Sequence, residues 1–91
     1  MAYTVTRINV GDYDMWKPMF DKDEPDARSS ALGYRILRGV DDPNEVFIVI
    51  EFTTTADASV ARGKLLASGV LDRFPDKDLP KIVEEAETVG Y

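Results

Sequence analysis

The sequence predicts an α+β fold, a four-stranded antiparallel sheet with two helices on one of its faces. Three observations carry that prediction. Segments rich in Val, Ile, Thr and Tyr alternate with segments of helical spacing in the order strand, helix, strand, strand, helix, strand. The middle two strands flank one short, dense turn, which makes them a hairpin. The chain has 91 residues, enough for one core and too few for two, so residues 1–91 are read as a single domain.

Ala2 to Val10 suits a pleated surface, and Gly11-Asp12 breaks it. Tyr13, Trp16 and Phe20 follow at i, i+3 and i+7, which sets three rings on one helical face; Met15 and Met19 widen it. Asp12 or Asp14 can cap this helix, and an acidic first turn suits its dipole. Pro18 removes a backbone hydrogen bond and is expected to kink or tighten the first turn. The reading is a helix over Tyr13–Asp23, continued briefly by Pro25–Ala31 and ended by Gly33. Tyr34 to Val40 is the second strand. Asp41-Asp42-Pro43-Asn44 is turn chemistry, and Glu45 to Phe52 is the third strand. Thr54 and Asp57 resemble a capping box before a helix over Thr55–Ser68, with Ala58, Ala61 and Leu65 on one face and Gly69 as its stop. Val70 to Phe74 can form one further turn, Pro75 to Asp78 is loop, and Pro80 to about Val89 is the last strand. Two split β-α-β units in this order give the ferredoxin-like βαββαβ arrangement.

The third strand departs from simple alternation. Val46, Ile48, Ile50 and Phe52 line one face, while Phe47 and Val49 sit on the other. The helices of one chain cover only one face of such a sheet. Either the second face exposes some apolar surface, as many interior strands do, or it packs on the sheet of a second copy.

Composition narrows the chemistry. There is no cysteine and no histidine, so a disulfide framework, a thiolate or imidazole metal site and a cysteine nucleophile are excluded. Oxygen ligands alone favour hard cations, so no tightly bound zinc or iron is expected. Eleven Lys+Arg against 17 Asp+Glu give a net charge of −6, a poor match for nucleic acid. Asp21, Asp23, Glu24 and Asp26 cluster without the alternation and glycine of a calcium loop and read as a solvated face. The longest purely apolar run, Val46–Ile50, is five residues, far short of the ~20 that a spanning helix needs. With neither a signal-like N-terminus nor cysteine, the expected location is cytoplasmic and no membrane partner is expected. No nucleophile motif, phosphate loop or glycine fingerprint is present.

A resemblance enters on particular residues. Asp12-Tyr13-Asp14-x-Trp16-Lys17-Pro18-x-Phe20-Asp21, then Gly33-Tyr34-Arg35, then Asp41-Asp42-Pro43-Asn44-Glu45-Val46 and Glu51-Phe52 resemble a group of small bacterial proteins. These belong to the dimeric α/β-barrel superfamily, among the antibiotic biosynthesis monooxygenase-like proteins. The match runs to about Leu71; the stretch Asp72–Lys81 lies outside it. The resemblance implies a ferredoxin-like protomer, a homodimer made through the sheets, and a cavity between sheet and helices that in relatives holds polycyclic aromatics, haem or small metabolites. Similar sequences often carry a histidine near the end of the first strand. Here Arg7 is followed by Ile8. Fold alone transfers no chemistry.

The candidate ligand-binding residues are Tyr13, Trp16, Phe20, Tyr34, Arg35, Arg38 and Glu51. No catalytic residue is singled out, and no metal or cofactor is expected. The three rings are core packing that can also line a pocket for a flat ligand. Arg7, Arg35 and Arg38 are solvated strand residues paired with Glu45, Glu51 or Glu84, or else anchors for an anion. Strand alternation puts Tyr34, Ile36 and Arg38 on one face and Arg35 with Leu37 on the other. Asn9, Tyr3, Tyr13 and Tyr34 can donate to a substrate oxygen; Asn44 belongs with the turn, and Tyr91 with a mobile terminus. Glu51, among apolar neighbours, becomes a possible base if buried. Three functions follow: a homodimer binding a small, partly aromatic molecule; a cofactor-independent monooxygenase or cyclase acting on an electron-rich polycyclic or polyketide-type substrate that supplies its own carbanion; or a structural or accessory dimer with no ligand.

Overall fold

Alternation along the strands decides the layering. In the computed structural model, which describes residues 1–91, the chain forms β1 (Ala2–Asn9), α1 (Tyr13–Lys22), β2 (Gly33–Arg38), β3 (Glu45–Phe52), α2 (Thr55–Ser68), a 3₁₀ turn (Val70–Arg73) and β4 (Lys77–Glu84). The strands pair antiparallel in the order β2-β3-β1-β4, the ferredoxin-like sheet. Register sets Thr4 opposite Ile50, Thr6 opposite Ile48 and Ile8 opposite Val46, with Ile36 across from Ile48 on the other side. These side chains meet the helices. Val46 and Phe52 are fully buried, and Trp16, Ala58, Ala61 and Leu71 close over them. The intervening residues Tyr3, Val5, Arg7, Phe47, Val49 and Glu51 point the other way and stay half-buried. The smallest extent of the molecule, 19 Å, is the thickness of one sheet and one helical layer, so nothing covers that second face.

Local chemistry sets the element ends. Asp12 caps α1 by accepting from the Met15 N–H (3.2 Å), and the helix runs through Pro18. Thr54 caps α2 by accepting from the Asp57 N–H (3.1 Å), and Gly69 ends it in the left-handed region at φ 73°. The expected continuation over Pro25–Ala31 does not form. Asp23 and Asp26 both adopt positive φ, 46° and 53°, which no right-handed helix contains. The Asp23 carboxylate also accepts from the Ala27 and Arg28 N–H groups, both at 3.0 Å, offering these donors a partner outside a helix.

The last strand is shifted from the predicted Pro80–Val89 to Lys77–Glu84. Its pairing with β1 slips between Val5 and Arg7, and the irregularity accommodates Pro80. The strand ends where its partner ends: Ala2 pairs with Glu84, and the Glu85 N–H makes a final bond to the Met1 carbonyl. No helix is long and apolar enough to cross a membrane.

Candidate functional site

The ring face of α1 lies over the sheet as its spacing demands. Tyr13 and Trp16 have centroids 5.7 Å apart, Trp16 and Phe20 5.0 Å, and Phe20 meets Tyr34 of β2 edge-on at 5.2 Å. Beside Trp16 and Phe20, roofed by the α1–β2 connection, α2 and the 3₁₀ turn, lies a cavity of about 250 Å³. Its floor is Thr6, Ile8, Ile48 and Ile50 of the central strands, and Leu65, Val70 and Phe74 complete its walls. Eleven of its 17 lining residues are hydrophobic, the composition of a small-molecule pocket. Engineered apolar cavities of roughly 150 Å³ hold benzene, so this one has room for a substituted ring or a compact bicycle. The exposed Met19, Glu24 and Arg73 mark where it meets solvent.

One charged group in the wall stands out. The Arg28 side chain is only 12% exposed. Its guanidinium lies 3.7 Å above the Phe20 ring, and its Nη2 donates to the Phe20 carbonyl at the end of α1. Its Nε lies 3.8 Å from Asp23 Oδ1, longer than a charge-assisted hydrogen bond, and that carboxylate also accepts from two backbone N–H groups. Nη1 is buried and has no partner, and no other buried side-chain nitrogen or oxygen shares that state. A buried donor left unmade costs about 1–3 kcal/mol, and more when charged.

The residues expected from sequence divide between the two sides of the sheet. Trp16 and Phe20 line the cavity; Trp16 is 6% exposed, so it is core and pocket wall at once. Tyr13 and Tyr34 support these rings from either end without reaching the cavity. Arg38 is on the helix side but engaged elsewhere, its guanidinium 3.9 Å over Tyr13 and its Nε donating to the Pro43 carbonyl (2.8 Å). Arg35 and Glu51 stand apart from the cavity, in a shallow, mainly polar hollow on the open face with Tyr3, Val49 and Glu85. Alternation by two requires this: Arg35 pairs with Val49, and Glu51 with Gly33 and Tyr3. There, desolvation first, then the charges of Glu85 and Glu51, raise the Tyr3 phenol above its usual value.

Arg7 is on the same open face and binds three carboxylates: Glu45 (3.0 Å), Asp76 (2.7 Å) and Asp78 (2.9 Å). Asn9 ties the hairpin turn to the start of α1, donating to Asp42 and accepting from the Gly11 N–H, both at 3.0 Å. Asn44 accepts from the Tyr13 N–H at 3.3 Å. Of the acidic cluster, Asp21 pairs with Lys17 and Asp26 approaches Lys64, while Asp23 is half-buried as the bracket for Arg28. Arg28 and Thr6 are the site residues that sequence reasoning passed over. Thr6 carried a signal, a polar residue on the core-facing register of a central strand; Arg28 carried none beyond following an aromatic helix.

No protein-family model matches the chain, and no curated protein matches its sequence. Solved structures do match across almost all of it. A candidate antibiotic biosynthesis monooxygenase from Deinococcus radiodurans superposes with a TM-score of 0.71 at 12% identity, covering 100% of this chain and 98% of that one. One from Nitrosomonas europaea gives 0.69 at 14%, covering 98% and 93%. A mutant of MhuD with two manganese protoporphyrin IX molecules bound per active site gives 0.67 at 19%, covering 100% of both chains. At such identities the likeness is one of fold: the chain has the ferredoxin-like fold of the antibiotic biosynthesis monooxygenase-like proteins, as the motif resemblance implied.

Proposed function

We propose that the chain binds a small, partly aromatic molecule in the cavity beside Trp16 and that it does so as a homodimer joined through the open sheet face. The observation that carries the first part is the 250 Å³ apolar void set against a row of rings. Core aromatics usually fill their surroundings, whereas Trp16 and Phe20 leave a space that one ring can enter. The second part rests on the uncovered face of Val5, Phe47, Val49, Leu37 and Val83, of which Leu37 is 54% exposed. The porphyrin held by MhuD supports a ligand in a protein of this fold.

Burying one ring contributes roughly 1.5–3 kcal/mol, so single-ring probes should bind in the millimolar range. Trp16 is the only tryptophan, so its fluorescence reports directly on the cavity. Titration with aromatic acids and polyphenols should give a saturable change, and Val70→Phe, which fills the void, should abolish binding measured by calorimetry. A wild-type signal that stays flat across the whole set would sink the reading.

A second reading, oxygenation of an electron-rich aromatic without metal or flavin, draws on the monooxygenase names carried by structural neighbours. A 1-naphthol, whose two rings match the room in the cavity, would take up O2 and give the 1,4-naphthoquinone and water, and the protein would orient the ring and accept its proton. Glu24, exposed at the cavity mouth, is the carboxylate placed for that step. Oxygen uptake with a 1-naphthol that exceeds the spontaneous rate in the wild type and falls in Glu24→Gln separates turnover from binding.

A further inference from the structure

We infer that Thr6 fixes which end of a ligand lies deepest: its hydroxyl holds a neutral polar atom of the ligand, a phenol or ketone oxygen, at the sheet end of the cavity. This rests on the cavity being a binding site. Thr6 stands on the helix-facing register of β1, opposite Ile48, and forms part of the cavity floor. Its floor neighbours Ile8, Ile48 and Ile50 are hydrocarbon, so it is the one polar side chain there. The residue is only 4% exposed, and its hydroxyl makes no hydrogen bond within the chain. Arg28 Nη1 is the one side-chain nitrogen or oxygen that is both sealed and unpartnered. The Thr6 oxygen, also unpartnered, is therefore not sealed, and on the helix-facing side of the sheet the surface it keeps belongs to the cavity. Valine would fill the same volume and bury no unpaired oxygen, so packing gives the hydroxyl no role. The charges in the wall balance, Asp23 and Glu24 against Arg28 and Arg73, and Glu24 and Arg73 are exposed at the mouth. A carboxylate carried to the floor would meet hydrocarbon and a single hydroxyl, too little to replace its hydration. A phenol or ketone oxygen gives up far less and regains a hydrogen bond from Thr6, which can both donate and accept. A site that offers a buried partner to one ligand atom rejects the analogue that lacks it.

The test uses phenol and its near-isostere fluorobenzene, both soluble at the millimolar concentrations needed, on the full chain at pH 7. Affinity is read from ¹⁵N NMR titrations, and the single Trp16 indole N–H resonance shows whether a probe is in the cavity. Both probes should shift that resonance in the wild type. Thr6→Val keeps the shape of the side chain and removes its oxygen. It should lower the phenol-to-fluorobenzene affinity ratio roughly 5- to 50-fold, through weaker phenol binding, while fluorobenzene binds at least as well as before. Thr6→Ser, which keeps the hydroxyl, should retain most of the wild-type ratio. Thr4→Val, on the same face of the same strand but outside the cavity, should leave the ratio unchanged. If Thr6→Val does not fold by circular dichroism, Thr6→Ala takes its place. A ratio that survives loss of the Thr6 oxygen overturns the inference and leaves the cavity reading intact. A ratio that falls equally in Thr4→Val also overturns it. A Trp16 resonance unmoved by either probe overturns the cavity reading, and the inference with it.

Discussion

Tyr3 and Arg28 show how far a single residue can be read from its place in the chain. Strand alternation correctly put Arg35 on the face opposite Arg38, but it carried no information about which face meets the helices. That depends on where α1 and α2 settle, a tertiary fact. Arg28 was illegible for a different reason. It follows a helix end made by the left-handed Asp23, and its position comes from hydrogen bonds between side chain and backbone rather than from any period. Tyr3 yields a pH prediction. Its phenol is raised above 10, chiefly by desolvation and then by Glu85 and Glu51, so the folded state holds the proton more tightly than the unfolded chain. The resulting stability is fully present below the unfolded pKa and is lost as pH rises through and beyond about 10. Urea midpoints measured from about pH 9 to 11 should fall more steeply for the wild type than for Tyr3→Phe. Parallel slopes would show that Tyr3 has no such coupling.

At the scale of the element, legibility tracked how local the cause was. Glu45–Phe52 and Thr55–Ser68 came out with their predicted limits because alternation, a Thr cap and a terminal glycine act within a few residues. The last strand was misplaced because its limits belong to its partner: it can extend only as far as β1 offers a rung, and β1 begins at Ala2. The hairpin between β2 and β3 owes its tightness to Gly39, whose N–H bonds to the Glu45 carbonyl at 2.8 Å. A Cβ at this position would sit 2.6 Å from the Asp42 carbonyl oxygen, a backbone atom that cannot swing aside. Gly39→Ala should therefore cost about 1–3 kcal/mol, read as a lower urea midpoint at unchanged slope. A midpoint within error of wild type would mean that the turn opens freely.

The whole molecule is two layers deep and leaves its second sheet face without a cover. Phe47 and Val49 at the middle of that face are the residues by which the third strand read as apolar on both sides, and the helices of this chain cover only the other face. Sedimentation at micromolar concentration should give a species of twice 10.2 kDa, and Phe47→Lys should shift it toward the monomer while the single chain stays folded. A wild-type monomer under those conditions would remove the homodimer. The outer strands have a further consequence. Pro80 in β4 lacks an N–H, and its carbonyl is already taken by Arg62 of α2 at 2.7 Å. On the other side β2 is six residues long and carries the exposed Arg35 and Arg38. Interrupted donors and charged side chains are features that keep sheet edges from templating one another. These features disfavour lateral addition, which has no natural end and leads to fibres, whereas face-to-face pairing satisfies itself after two copies. Even in concentrated solution, growth should halt at a closed pair rather than continue into filaments.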